Sequence, residues 1–284
     1  MKSKVLFIIS CLAAITSCAT QKSVSAPAKE QNKVAIVCHR GFWKSTEGGM
    51  SENSIASLKA AQSHCFWGSE CDVHLTADGI VIVNHNADIE GKNIRDHAFA
   101  DFKSCLLPNG ERRPSFDEYL TQTEKCATTM LIIELKRQKA NASMTSLQRE
   151  DALVDKVLEL IKSHGLYSPE RVAFISFSYH MCKRIAELAP GFTNQFLLDD
   201  FENPVTPAQC HADGINGIDY HRKFFRIHPE WIKEAKDLGM STNVWTVNKP
   251  EDMTYMTELG LDAITTNEPL MLRDLLGKKE LKTK

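Results

Sequence analysis

The sequence predicts an α/β protein: a TIM-type (β/α)8 barrel with an insertion after its second strand. Three observations carry this. From Lys33 onward, eight short apolar runs alternate with amphipathic stretches or longer insertions, as expected of strands buried on both faces of a parallel sheet. Two of the helical stretches open at a proline and stop at a glycine, Pro229 to Gly239 and Pro250 to Gly260, the order that helix-end geometry favours. Charged residues cluster where the early apolar runs end, and in a parallel barrel those carboxyl ends form the face that carries the active site.

The first strand is Val34-Ala35-Ile36-Val37, and a helix over 54–64 follows with Ile55, Leu58 and Ala61 on one stripe. The second strand, 67–75, is extended by a hairpin, because the turn Thr76-Ala77-Asp78-Gly79 leads straight into Ile80-Val81-Ile82-Val83. Residues 85–129 show no simple strand–helix pattern, and about 85–121 reads as an insertion at the barrel mouth. The third strand is 130–135, with a helix at 152–164 ended by Gly165. Strand four at 172–177 is followed by a helix at 181–188, and strands five and six fall at 195–198 and 217–220. Trp231, Ile232, Ala235 and Leu238 share one side of the helix that Pro229 opens. Strands seven and eight are 243–247 and 263–266, and a last helix covers 268–276. A doubly wound open sheet is the competing architecture. It usually carries a glycine-rich phosphate loop after its first strand, and His39-Arg40-Gly41-Phe42-Trp43 is not one.

The first residues address the chain for export. Lys2 and Lys4 precede an apolar run from Val5 to Ile15, interrupted only by Ser10. That run is too short for a bilayer, which takes about 20 residues, but it suits a secretory signal. Ile15-Thr16-Ser17-Cys18 then resembles a bacterial lipobox, whose cysteine is acylated and becomes the new N-terminus. An ordinary signal peptide with Cys18 incidental is the alternative. The expected organisation is a signal peptide over 1–17, a lipidated and flexible tether over 18–32, and a barrel over 33–284. The tether has no aromatic residue and too little apolar surface to fold. The expected location is a bacterial membrane, anchored by lipid, with the barrel facing the periplasm or the cell exterior.

A formal net charge of −2 gives no electrostatic case for nucleic acid, and no protein partner is implied. Of nine cysteines, Cys11 lies in the signal and Cys18 in the lipobox, leaving seven (9 − 2). An odd number cannot close entirely into internal bridges. Cys38 and Cys71 read as buried strand positions rather than staples.

Strand one runs into His39-Arg40, strand two carries Glu70 and Asp72 on one face, and the hairpin strand runs into His85. Strand three ends Glu134-Leu135-Lys136, again with an acidic and a basic residue on one face. Three carboxylates converging from neighbouring strands repel one another unless a positive charge lies between them. A hard divalent cation, Mg2+ or Ca2+, resolves this. Two imidazoles suit acid and base work near neutral pH, and Arg40 and Lys136 supply fixed charge for a phosphate.

These motifs, taken in order, resemble the glycerophosphodiester phosphodiesterase family. They are His39-Arg40-Gly41, Glu52-Asn53-Ser54, Glu70-Cys71-Asp72-Val73, the run from Asp78 to His85, Arg113 to Leu120, Ile133-Glu134-Leu135-Lys136, Ile175-Ser176-Phe177, Val244-Trp245-Thr246-Val247-Asn248 and Asp262 to Pro269. The resemblance covers nearly everything after the tether. It implies a metal-dependent hydrolase that converts glycerophosphodiesters to an alcohol and glycerol 3-phosphate. His39 and His85 would be the acid/base pair, Glu70, Asp72 and Glu134 the metal ligands, and Arg40 and Lys136 the phosphate contacts. The insertion would shape the pocket for the glycerol moiety.

This chain departs from the family pattern in three places. His85 is followed by Asn86 rather than aspartate, Asn267 stands where an aspartate is usual, and the loop from Arg40 to Glu52 is long and lacks the proline that often precedes the glutamate. Trp245 is either a core ring or a wall of the substrate pocket. Glu52 and Asn53 either cap the first helix, the default, or order the active-site loop. Asp219-Tyr220-His221 lies at a strand end and is a candidate for the pocket wall. Two other functions stay open: a phospholipase C-like or D-like lipid hydrolase on the same barrel, and a phosphodiester-binding lipoprotein without turnover.

Overall fold

The computed structural model describes residues 34–282. The signal peptide, Cys18 and the tether lie outside the described residues. Eight parallel strands close on themselves: β1 (Ala35–Cys38), β2 (Gly68–Leu75), then β6 (Met130–Leu135), β7 (Val172–Ser176), β8 (Asn194–Leu198), β9 (Gly217–His221), β10 (Ser241–Trp245) and β11 (Ala263–Thr266). Each pairs in parallel with the next, and β11 returns to β1 through Ala35 opposite Ala263. The remaining strands stand outside this cycle. β3 (Val81–Val83) folds back antiparallel on β2, as the hairpin pattern predicts, and β4 (Asp88–Ile89) pairs with β5 (Lys92–Asn93) in a separate ribbon.

The helices are α1 (Ile55–Ser63), α2 (Phe116–Thr123), α3 (Ser146–Ser163), α4 (Tyr179–Leu188), α5 (Pro207–Ala212), α6 (Arg222–Ile227), α7 (Glu230–Asp237), α8 (Pro250–Glu258) and α9 (Pro269–Lys282). Four begin at a reciprocal box in which a Ser or Thr bonds the third helical amide and that residue's side chain bonds back: Ser54/Ser57, Ser115/Glu118, Thr145/Gln148 and Thr206/Gln209. Ser54 therefore caps α1, and the default capping role for Glu52 and Asn53 does not hold.

Residues 116–123 are not part of an irregular insertion. They form α2, which packs between α1 and α3 as a barrel helix. Between β3 and α2, the mouth segment carries the β4–β5 ribbon and two single 3-10 turns around Ile89, Ile94, Phe102 and Cys105, which pack with Ile82. Strand seven of the sequence reading sits two residues earlier than expected, at Ser241–Trp245. Thr242 faces away from the lumen there, and Asp262 holds both its amide and its hydroxyl. Side-chain alternation then splits the apolar residues into two populations. Ile218 and Tyr220 face the helix layer, while Val37, Ile132, Ala173, Ile175, Leu197 and Ala263 fill the barrel lumen. The seven cysteines from Cys38 to Cys210 are free thiols, with Cys38 and Cys71 fully buried as expected.

Candidate active site

At the carboxyl end of β1 the backbone makes a sharp turn. Arg40 adopts a left-handed conformation at φ 57°, and Gly41 follows at φ 80°. A Cβ on Gly41 would lie 2.3 Å from Ser57 Oγ on α1, so only glycine lets this loop sit against the helix. The turn aims the Arg40 amide at Glu70, donating to Oε2 at 2.7 Å, and Arg40 Nη1 bonds Glu52 Oε2 at 2.8 Å.

Glu70 and Asp72 lie two apart on β2, and Glu134 on β6 stands opposite Asp72 in the ladder. All three are buried, and one oxygen from each lies within 4.8 Å of the others. Asn53, at φ 56°, grips Asp72 twice: its Nδ2 donates to Oδ2 at 2.7 Å, and its Oδ1 accepts the Asp72 amide at 3.1 Å. Lys136 Nζ lies 3.2 Å from Asp72 Oδ1 and 2.6 Å from Glu134 Oε1. Glu70 Oε1 is buried with no hydrogen-bond partner, and the oxygens of Asp72 and Glu134 that face Lys136 accept no well-aligned bond.

The electrostatics of this cluster are unbalanced. Burial, with Asp72 and Glu134 beside it, pushes the Glu70 carboxyl well above its usual range. Burial and Asp72 push Glu134 up to about 7. Asp72 goes the other way: burial opposes ionisation, but Lys136, His85 and Arg40 outweigh it and hold the group well below its usual value. Three buried carboxyl groups share only Lys136 and Arg40 as cations and leave Glu70 Oε1 unpartnered, and an all-oxygen donor set of this kind fits a hard divalent cation.

The two histidines line one cavity of about 240 Å³, together with Arg40, Glu70, Glu134, Lys136, Phe177 and Trp245. His39 Nδ1 lies 2.9 Å from Asn267 Oδ1, which also accepts from Trp43 Nε1 at 3.1 Å. An indole N–H can only donate. The Asn267 atom is therefore the carbonyl oxygen, and His39 must carry its proton on Nδ1, leaving Nε2 as the free nitrogen. Burial, then Arg40, pushes His39 down to about 4, so the ring is neutral at pH 7. His85 Nδ1 pairs with Asn86 Oδ1 at 2.9 Å, and burial lowers its pKa as well. His74, which the sequence does not mark for a role, is buried beneath this loop with Nε2 3.2 Å from the His85 carbonyl.

The structure thus brings together every described residue singled out by the sequence: His39, Arg40, Glu70, Asp72, His85, Glu134, Lys136 and Trp245. Trp245 lines the cavity, edge-on to Phe177 at 5.3 Å, and its Nε1 donates to the Asp219 carbonyl at 2.9 Å. Two contributors had no role assigned from sequence, Trp43 and Asn267, the partner that fixes the His39 ring; Asn53, offered there as a helix cap or an organiser of the active-site loop, clamps Asp72. A second cavity of about 370 Å³ shares His85 and opens toward the mouth segment, lined by Trp43, Glu52, Glu90, Pro108 and Arg113 among others.

Fold and site define a barrel hydrolase with an acidic cluster able to hold a cation at its mouth. The sequence model of the Glycerophosphoryl diester phosphodiesterase family matches residues 39–271, and the chain belongs to that family. A solved glycerophosphodiester phosphodiesterase from Parabacteroides distasonis is 34% identical, with a TM-score of 0.80 over 88% of this chain and 99% of that one. A glycerophosphodiester phosphodiesterase of Caldanaerobacter subterraneus subsp. tengcongensis is 26% identical over 87% of this chain and 99% of its own length. The fold also matches an Oleispira antarctica phosphodiesterase solved with the product sn-glycerol-3-phosphate, with a TM-score of 0.71 at 20% identity over 86% of this chain and 96% of that one. The chain is an enzyme of the glycerophosphodiester phosphodiesterase class, a phosphoric diester hydrolase.

Proposed function

We propose that the enzyme is metal-dependent and hydrolyses glycerophosphodiesters to an alcohol and glycerol 3-phosphate by His/His acid–base catalysis. The observation that carries this is the buried Glu70/Asp72/Glu134 triad, with Glu70 Oε1 unpartnered, set beside two imidazoles in one cavity. A Ca2+ or Mg2+ ion held by those three carboxylates would neutralise the phosphate and polarise a phosphoryl oxygen.

The chain's own groups account for the rest. Arg40 and Lys136 place fixed positive charge on the same cavity wall and hold the diester phosphate. His39, neutral and presenting Nε2, takes a proton from the attacking oxygen, which belongs either to water or to a neighbouring glycerol hydroxyl. As the new P–O bond forms, His85 gives a proton from Nε2 to the departing alkoxide and the old P–O bond breaks. Burial lowers the proton affinity of both rings; at His85, Asp72 opposes this while Lys136 and Arg40 add to it, and the net shift is downward. Asn267 and Asn86 orient the two rings without adding charge.

Lipid anchoring through Cys18, and an exported location, rest on the sequence pattern alone. Among the described residues no helix is long and apolar enough to cross a membrane. Incorporation of labelled fatty acid into the wild type, lost in Cys18→Ser, tests the anchor.

The function is tested by supplying several glycerophosphodiesters and an intact phospholipid, with and without chelator. The expected result is chelator-sensitive release of glycerol 3-phosphate from the glycerophosphodiesters. Preference for the intact phospholipid, or binding without turnover, would overturn it.

A further inference from the structure

Across the lumen from the acidic cluster, β9 carries a carboxyl group that the proposed chemistry does not use. Asp219 is 1% exposed and lines the catalytic cavity. Its Oδ2 accepts from Asn243 Nδ2 at 3.0 Å, while Oδ1 is buried with no hydrogen-bond partner. Asn243 cannot supply a second bond. Its other amide hydrogen goes to Thr265 Oγ1 at 3.0 Å, and its Oδ1 accepts the Val244 amide at 2.9 Å. On β8 and β7 the neighbouring lumen positions are apolar, Leu197 beside Asp219 and Ile175 one strand further on, whereas β10 and β11 place Asn243 and Thr265 on its other side. An aliphatic residue would be cheaper here, because an unsatisfied buried carboxyl oxygen is costly.

A fixed, unpartnered polar atom beside the apolar stretch of Ile175, Phe177, Leu197 and Trp245, in a small cavity that also holds the acid/base pair, is an arrangement that orients a small polar ligand. The ligand group must donate to a carboxylate or accept from a carboxylic acid, and must fit against aliphatic and aromatic surface. An alcohol hydroxyl on a short carbon chain meets both conditions in either protonation state of Asp219.

We infer that Asp219 Oδ1 binds a free hydroxyl of the substrate's polyol arm, and so selects diesters whose barrel-side alcohol carries a second hydroxyl. This rests on the glycerophosphodiester reading and refines it. The polyol arm then lies in the lumen cavity under Trp245, not in the pocket of the mouth segment where the family resemblance would put it, and the other alcohol leaves toward that mouth-segment cavity. Trp245 supports the arrangement by holding the Asp219 carbonyl and covering the cavity wall. Burial, opposed by Asn243, pushes the Asp219 carboxyl well above its usual range, and a hydroxyl can serve either protonation state.

The test compares wild type with Asp219→Asn, which keeps the shape and a partner for Asn243, and with Asp219→Ala. Each is assayed on glycerophosphocholine and on a hydroxyl-free diester, methyl 4-nitrophenyl phosphate, after melting curves confirm folding. The ratio of kcat/KM on the two substrates should fall by about tenfold or more in Asp219→Ala, through KM. In the wild type, glycerol 3-phosphate should inhibit about tenfold better than propyl phosphate, a measurement that needs no variant. A smaller change in the ratio, equal losses on both substrates, or equal inhibition by the two phosphates would overturn the inference. A wild type that leaves glycerophosphocholine intact but cleaves the nitrophenyl ester would instead overturn the function reading on which it rests.

Discussion

The two halves of the barrel mouth solve different problems. On the β1/β2/β6 side, charge is interlocked: Arg40, Lys136, Asn53 and the three carboxylates satisfy one another incompletely. On the β7–β10 side, Ile175, Phe177, Leu197 and Trp245 form an apolar wall broken by Asp219 and, just past β8, Asp199. The charged half resembles a machine for phosphate and metal, the apolar half a mould for the rest of the substrate. Substitutions in the first should therefore cost kcat, and substitutions in the second should cost KM.

The largest expected effects lie in the charged half. His39→Ala and His85→Ala should each lower kcat by about 10²–10⁴-fold, the usual scale for one general acid or base. The double variant should lose much less than the product of the two. A nitrophenyl leaving group, which needs no proton, should rescue His85→Ala and not His39→Ala. Equal rescue of both, or of neither, would break the assignment of acid and base.

Glu70→Gln sharpens the comparison through stability. Because burial and its acidic neighbours raise the Glu70 pKa, the ionised group costs the metal-free fold stability at pH above its unfolded value. Without metal, Glu70→Gln should melt at or above the wild-type temperature while losing activity by about 10²-fold or more. Adding Ca2+ or Mg2+ should raise the melting temperature of the wild type and leave the variant's unchanged. A variant that melts lower in chelator would show that the carboxylates are not in conflict.

A smaller effect belongs to the apolar half. Trp245→Ala should raise KM by about tenfold, the scale of a lost hydrophobic wall, with kcat affected less. A loss confined to kcat would mean that the ring serves the chemistry instead.

The smallest effect is outside the mouth and calibrates the rest. His164, at the end of α3, places Nε2 3.0 Å from Asp117 on α2 and Nδ1 against Glu124 just past its end. Both nitrogens can donate only when the ring is protonated. Burial opposes this, but Asp117 and Glu124 raise its pKa overall. The stabilisation is thus fully present below the unfolded value of about 6.5 and is lost as pH rises through the folded value. For a pair this close to the surface it amounts to less than about 1 kcal/mol. Wild type should melt slightly higher than His164→Gln at about pH 5.5 and equal it at about pH 8.5; the opposite trend would refute the pairing.

The charged half was legible in the sequence because charge inside an apolar strand is expensive. Glu70, Asp72 and Glu134 each interrupt a run that would otherwise be aliphatic, and their spacing sets the face they share. The eight strands were legible for the related reason that lumen and helix layer both demand apolar residues. The polar residues that act through others were harder to read. Asn53, Asn267 and Trp43 matter through contacts made 19 to 228 positions away in the chain, which no local pattern reports. Helix α2 was hidden inside the expected insertion, although Ser115 and Glu118 form its capping box and Phe116, Tyr119 and Leu120 its buried stripe. Helices α5 and α6, of 6 residues each, are too short for periodicity to show.

The claim on which the account turns is that Glu70, Asp72 and Glu134 hold one cation and that turnover depends on it. Calorimetric titration of metal-stripped wild type and Asp72→Asn with Ca2+ or Mg2+, with activity followed in the same samples, tests this most directly. One ion should bind per wild-type chain, with activity rising as that site fills, and neither binding nor turnover should be recovered in Asp72→Asn. Full turnover by metal-stripped wild type, or unchanged binding and turnover in Asp72→Asn, would contradict it.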